Sequence, residues 1–150
     1  MDINENSLAK DLVDAAREAI GDKEAAIVGI RAICKYFGGQ LIYIPVSKAY
    51  GKTAENLRGV LADAIGDQSA EIVLEKIMTM FGGVQVYIPK EQRAFQKEIA
   101  TEIYNQYDGT QESMREICRN YNISFVQVYR LWYKARESIQ QLRLDFNNPG

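Results

Sequence analysis

The feature that most constrains this chain is an internal duplication that supplies only one short strand per copy. Residues 20–45 read IGDKEAAIVGIRAICKYFGGQLIYIP, and residues 65–89 read IGDQSAEIVLEKIMTMFGGVQVYIP. With a one-residue gap the two share Ile-Gly-Asp, Ile-Val, Phe-Gly-Gly and Tyr-Ile-Pro in the same order, which marks a repeat. Each copy ends in a β-branched and aromatic run, LIYI or VQVYI, stopped by Pro45 or Pro89. A lone strand leaves its backbone N–H and C=O groups unpaired, so it must find a partner. The partner is either the other copy or a second chain, and the sequence leaves both open.

The rest of each copy reads as helix. Leu8, Leu12, Ala16 and Ile20 recur every four residues before the first repeat motif, and Leu57, Leu61 and Ile65 do so before the second. Gly21-Asp22 and Gly66-Asp67 break these helices, and each Asp is placed to N-cap the next one. That next helix carries Ile27, Ile30, Cys34 and Phe37 in one copy, and Ile72 or Val73, Ile77, Met80 and Phe81 in the other. Met78 and Met80 read as core gap-fillers. Gly38-Gly39 and Gly82-Gly83 then end it, with Gly82 and Gly83 a candidate hinge. The expected fold class is mostly α with a short two-stranded antiparallel β ribbon. Residues 1–90 form a dimerisation-type domain of two helix–helix–strand units, at about 8–46 and 54–90.

After Pro89 the pattern is helical throughout. Ala94, Phe95, Ile99, Ile103 and Tyr107 recur at three to four residues until Tyr107-Asp108-Gly109 breaks the run. Thr110 or Ser113 can cap a helix with Met114, Ile117, Cys118 and Tyr121 on its apolar face. Asn122 can then take a left-handed turn, and Ser124 can cap a last helix whose Val128, Leu131 and Trp132 face inward. A small residue four before Asn122, then Ile123, Ser124 and Val128, is helix-turn-helix spacing. This gives a helix-turn-helix domain over residues 91–143 and a tail over 144–150. Phe125, Gln127, Arg130, Tyr133 and Lys134 point outward, an amide, guanidinium and hydroxyl set suited to base edges and phosphates in a major groove. Arg115 and Arg119, a turn apart on the preceding helix, suit phosphates. Tyr129 and Trp132 read as packing residues.

Composition narrows the chemistry. The chain has no histidine, which excludes imidazole general bases, Ser-His-Asp and Cys-His sites and histidine metal ligands. Its two cysteines, Cys34 and Cys118, are too far apart in sequence for a Cys-x-x-Cys motif and read as buried, reduced thiols. No nucleophile–base pair, metal set or cofactor motif can be assembled, so the expectation is no enzyme, no metal and no cofactor. The start MDINENSLAKDL lacks an apolar core, and no run approaches the roughly 18 apolar residues of a membrane span; a cytoplasmic chain with no membrane partner is expected. The net charge of −2 hides a split. Residues 1–89 hold 9 basic and 12 acidic side chains, net −3, whereas residues 115–143 hold 6 basic and 2 acidic, net +4.

ICKYFGGQLIYIP and IMTMFGGVQVYIPKEQ, followed by EIYNQYDG and MREICRNYNISFVQVYRLWYKAR, resemble the Mor/C family, the middle- and late-operon transcription activators of Mu-like phages. The resemblance covers about residues 56–136 and joins two motifs, a Tyr-Ile-Pro strand and a helix-turn-helix. It implies a homodimer on double-stranded DNA in a bacterial host cell. It further implies a strand ribbon at the minor groove, helix-turn-helix units in major grooves, and contact with host RNA polymerase. Gln85 and Tyr87 match the family's ribbon residues, and Lys90 stands where a basic residue is common. The first strand keeps Tyr43 but has Leu41 in place of the glutamine, so that copy reads as retained for pairing. The expected function is a sequence-specific DNA-binding regulator of a phage or prophage operon. The alternative is a protein–protein adaptor or inhibitor that keeps the fold.

Overall fold

In the computed structural model, which describes residues 8–47 and 51–147, the two copies are built alike. The first is α1 (Leu8–Ile20), α2 (Lys23–Phe37) and β1 (Leu41–Tyr43). The second is α3 (Lys52–Ile65), α4 (Asp67–Phe81) and β2 (Gln85–Tyr87). Ala26, Gly29, Ile30 and Ile33 of α2 are buried, as are Ala70, Val73, Leu74 and Ile77 of α4, each 44 residues later. Ala9, Leu12 and Ala16 of α1 match Ala54, Leu57 and Leu61 of α3 at an offset of 45. The one-residue gap of the repeat therefore falls in the joint between the helices. The buried counterpart of Val73 is Gly29, and Ile27 and Ile72 both lie off the core face.

That joint decides the capping. Asp22 N-caps α2 and accepts a hydrogen bond from the Ala25 N–H at 3.1 Å. Asp67 does not repeat this role. The second joint is the single residue Gly66, whose φ of 90° lets it end α3 and begin α4 at once, and Asp67 already lies in the first turn of α4. Its charge there is favoured by the helix dipole alone. The methionines also divide: Met78 is half-buried, but Met80 is 51% exposed and fills no core gap.

The ribbon closes within the chain. β1 and β2 pair antiparallel with Leu41 opposite Tyr87, Ile42 opposite Val86 and Tyr43 opposite Gln85. Each strand is three residues, shorter than the four to five the sequence indicates, but flanking bonds extend the ladder. They come in matched pairs: Gly39 N to Ile88 O and Gly83 N to Ile44 O, both 2.8 Å; Ile88 N to Gln40 O at 2.9 Å and Ile44 N to Val84 O at 3.0 Å. Ile44 and Ile88 are buried beneath the ribbon. Gly38 and Gly82 cap α2 and α4 with ordinary negative φ, and the positive φ of 83° and 84° falls on Gly39 and Gly83. α1 packs on α2 and α4, and α3 packs on α2 and α4, so the helix contacts obey the same pseudo-two-fold as the strands.

The described residues divide into two compact units, one ending at Ala94 and the other starting at Phe95. The helical run expected across this boundary is broken. α5 (Glu91–Ala94) packs on α2, helped by Arg31 Nε donating to Glu91 Oε2 at 3.2 Å. Phe95 then leaves helical geometry, with φ −118° and ψ 34°, before α6 (Gln96–Gln106). In the second unit α6, α7 (Gln111–Tyr121) and α8 (Phe125–Asn147) pack around Phe95, Ile99, Ile103, Ile117, Val128 and Leu131. α8 runs on to Asn147, through most of the segment read as a tail.

Candidate nucleic-acid interface

The junction of α7 and α8 is built residue by residue from side-chain caps. Thr110 is the N-cap of α7: its hydroxyl accepts from Ser113 N at 3.1 Å. Asp108 braces the cap, accepting from Thr110 N at 2.9 Å and from Thr110 Oγ1 at 2.6 Å. These donors, the Thr110 hydroxyl first, hold the Asp108 carboxyl down at about 2. Asn122 closes α7 in the left-handed region, φ 53° and ψ 51°, the one non-glycine positive φ among the described residues. Asn tolerates this conformation better than residues with bulkier side chains. Ser124 Oγ then accepts from Gln127 N at 3.2 Å and starts α8. Ile123 is buried between them, so the turn of three residues fixes the angle of α8 against α7.

α8 is buried along Val128, Leu131 and Ala135 and exposed on the opposite side. Phe125, Gln127, Arg130, Tyr133 and Lys134 are all exposed, as the spacing predicts. They are not equally available. Lys134 Nζ donates to Gln96 Oε1 on α6 at 2.9 Å, and the Tyr133 ring stands edge-on to Trp132 with centroids 5.1 Å apart. Among the described residues, Arg130 and Gln127 make no side-chain contact of this kind. Val126 is 66% exposed and lies with Arg130, Tyr133 and Glu137 on the face opposite the core, a member the sequence reading missed. Its signal was present: Val128 fixes the inward direction, and Val126 lies two residues away on the far side.

Arg115 and Arg119 are exposed on α7, Arg115 donating to Gln111 Oε1 at 3.4 Å. Between the start of α7 and the start of α8 runs a groove of about 330 Å³, lined by Tyr107, Thr110, Gln111, Arg115, Phe125 and Tyr129. Tyr129 is 45% exposed and its hydroxyl lies 3.5 Å from that of Tyr107, which raises the Tyr107 pKa. It is a rim residue, and packing alone does not describe it. Trp132 does behave as a packing residue, half-buried against Tyr104 at 5.5 Å with Arg136 5.7 Å from its ring.

The other candidates lie in the first unit. Gln85 and Tyr87 project from the exposed face of the ribbon beside Leu41 and Tyr43, and Lys90 is exposed just past Pro89. Under the pseudo-two-fold Gln85 corresponds to Leu41 and Lys90 to Val46, so the polar members come from the second copy alone. Gly82 sits at a close approach of backbone, whereas Gly83 beside it has only ordinary contacts at a φ of 84°. A Cβ on Gly82 would press on the Met78 carbonyl and lie 3.2 Å from the Pro45 carbonyl, so close packing already accounts for it. Cys34 is a free thiol buried in α2, where burial first and then the charge of Glu91 push it up to about 12. Cys118 is also free but half-buried, not buried as expected. Among the described residues no cluster of carboxylates and thiols could hold a metal ion, and no helix is long and apolar enough to cross a membrane.

The fold and this surface define a chain with an exposed, capped helix-turn arrangement. The family model of the Mor transcription activator family matches residues 50–144, well over half the chain, and the chain belongs to that family. It is therefore a transcription regulator, of a family of regulators rather than of enzymes. No curated protein and no solved structure matches it. The matched segment takes in the second copy, with β2, and most of the second unit; α1, α2 and β1 lie outside it.

Proposed function

We propose that the chain is a sequence-specific DNA-binding activator of a phage or prophage operon, with α7 and α8 as its helix-turn-helix. The observation that carries this is the exposed side of α8. Gln127 and Arg130 stand free of the core, and Asn122 and Ser124 fix the helix that presents them. Gln127 and Arg130 have the donor and acceptor groups to read adenine and guanine edges, and Val126 suits a thymine methyl. Arg115, Arg119 and the rim hydroxyls of the groove serve phosphates, which position the helix without specifying sequence. Phe125, Tyr133 and Lys134 complete the contact surface. Gln85, Tyr87 and Lys90 supply a second, minor-groove contact. Host RNA polymerase is the protein partner that the family resemblance implies.

Selection from a random DNA pool, followed by titration of the selected duplex, tests the reading. Arg130→Ala should weaken the selected site by about 10- to 100-fold while leaving random DNA nearly unchanged, since one bidentate base contact contributes about 1–3 kcal/mol of discrimination. Equal loss on both would move Arg130 to the phosphates and take α8 out of the base-reading role. The adaptor reading has one observation in its favour: the first-copy side of the ribbon is apolar and open, with Leu41 and Val46 each 67% exposed. Absence of binding to either DNA at low salt would select it.

A further inference from the structure

We infer that the two repeats form a matched pair within one chain, so that the protein is a monomer and, on the DNA reading proposed above, occupies its site as a single chain. The segment that matches the family contains one strand, β2, and a protein made of that segment alone would have to borrow a second strand from another chain. Here residues 8–47 supply it. The ladder and both helix crossings close in cis around one pseudo-two-fold, and neither strand asks for a partner copy to complete this register.

The two halves also fit each other better than either would fit itself. At the crossing of α2 and α3, a Cβ on Gly29 would lie 3.2 Å from Ile65 Cδ1 and 3.3 Å from Leu61 Cδ2. At the equivalent crossing of α4 and α1, Val73 stands in the place of Gly29, and Ala16 in the place of Leu61. Small faces large at one crossing and large faces small at the other. Two second copies would set Val73 against Leu61 and overpack; two first copies would set Gly29 against Ala16 and leave a void. The pairing is thus heterotypic by construction. A partner chain could still donate the complementary half by exchange. However, the link between β1 and α3 is short, and a short tether gives the cis partner an effective concentration on the order of millimolar. At micromolar chain the cis pair is favoured by about a thousandfold.

The surface has diverged in step. Only the second copy carries Gln85 and Lys90, and the described residues carry one α7–α8 arrangement. One chain therefore offers one reading helix and one polar half-ribbon, which calls for a site without an inverted repeat.

Three measurements on the full chain decide this. Sedimentation equilibrium at micromolar concentration should give 17.0 kDa, and a mass near twice that would overturn the monomer. Leu41→Cys with Tyr87→Cys places two thiols directly opposite in the ribbon. Mild oxidation should give a cross-linked monomer on a non-reducing gel, whereas a covalent dimer would mean the ribbon forms between chains. Titration of a duplex from a random pool, at concentrations well above Kd, should saturate at one chain per duplex on a sequence with no dyad. Saturation at two chains on an inverted repeat would overturn single-chain reading. If the pool returns no sequence, the DNA reading falls and takes the one-chain site with it, while mass and cross-link still decide the matched pair.

Discussion

Thr110 and Asp108 illustrate how much of the second unit depends on single side chains. The Thr110 hydroxyl satisfies an amide at the start of α7 that no helical carbonyl can reach, and Asp108 holds that hydroxyl in place. Thr110→Ala should lower unfolding stability by about 1 kcal/mol in urea titration. The Asp108 carboxyl, ordinarily near 3.8, is held at about 2 in the folded chain, so the unfolded chain binds its proton first. The brace is therefore intact above about pH 4 and is lost as the pH falls toward 2. Comparing the urea midpoint at pH 5 and pH 2.5 for wild type and Asp108→Asn should show the wild-type advantage shrink; an advantage that grew on acidification would contradict the sign. Cys34 runs the other way. Its thiol is raised to about 12, so its contribution is full below the ordinary 9 and lost between 9 and 12. At pH 8 a thiol reagent should modify Cys118 in the native chain and reach Cys34 only after denaturant is added. Fast native labelling of Cys34 would mean α2 opens readily. At this scale the sequence was informative where one side chain has one job. Asn122 and Ser124 were legible because a left-handed turn and an N-cap accept few residue types. Asp67 and Met80 were not, because a cap or a buried face depends on the joint length that sets the helix phase.

Among the elements, the crossings of the repeat have the clearest energetic signature. Gly29→Val should overpack against Leu61 and Ile65 and destabilise the chain by about 1–3 kcal/mol. Leu61→Ala should be destabilising by itself, by about 2–5 kcal/mol, through the cavity it leaves. Combined, the two should cost less than their sum, because the new side chain occupies the vacated space. Strict additivity in a double-mutant cycle would mean that the two positions do not share that space. The order and type of the elements were visible from periodicity and breakers: helix, helix, strand, twice over, then helices. What periodicity could not supply was the break at Phe95. Ala94, Phe95 and Ile99 are all buried and continue the apolar pattern, yet Ala94 belongs to the first unit and Phe95 to the second. A hydrophobic repeat records which residues are buried, and it is silent on which core they enter. The same blindness explains the strands, where the β-branched run continues through Ile44 and Ile88 although the paired register is only three residues long.

For the whole molecule, the repeat was the legible feature and its closure was the hidden one. Two strands related by duplication satisfy the pairing requirement equally well in cis or in trans. The exchanged sizes at Gly29 and Ala16 call for one first copy against one second copy, and only the short link between β1 and α3 favours taking both from one chain. The charge split adds a further consequence. The net −3 of residues 1–89 gives that segment little attraction for a polyanion, so on the DNA reading proposed above electrostatic affinity rests on the basic positions of α7 and α8. Each phosphate neutralised there releases counterions, and log Kd against log salt should be linear with a slope of about 0.9 per contact. Arg119 is exposed on α7, away from the α8 face proposed to read bases, so Arg119→Ala should reduce that slope by about 1. It should also weaken selected and random duplexes by a similar factor, the opposite of what Arg130→Ala does. Gln85→Ala makes the contrasting case, because an uncharged ribbon side chain releases no counterion when it meets DNA. Its loss should lower affinity for the selected site at every salt concentration and leave the slope unchanged. A slope that falls with Gln85→Ala and holds with Arg119→Ala would reverse the two surfaces, placing the phosphate contacts on the ribbon and freeing α7 from DNA.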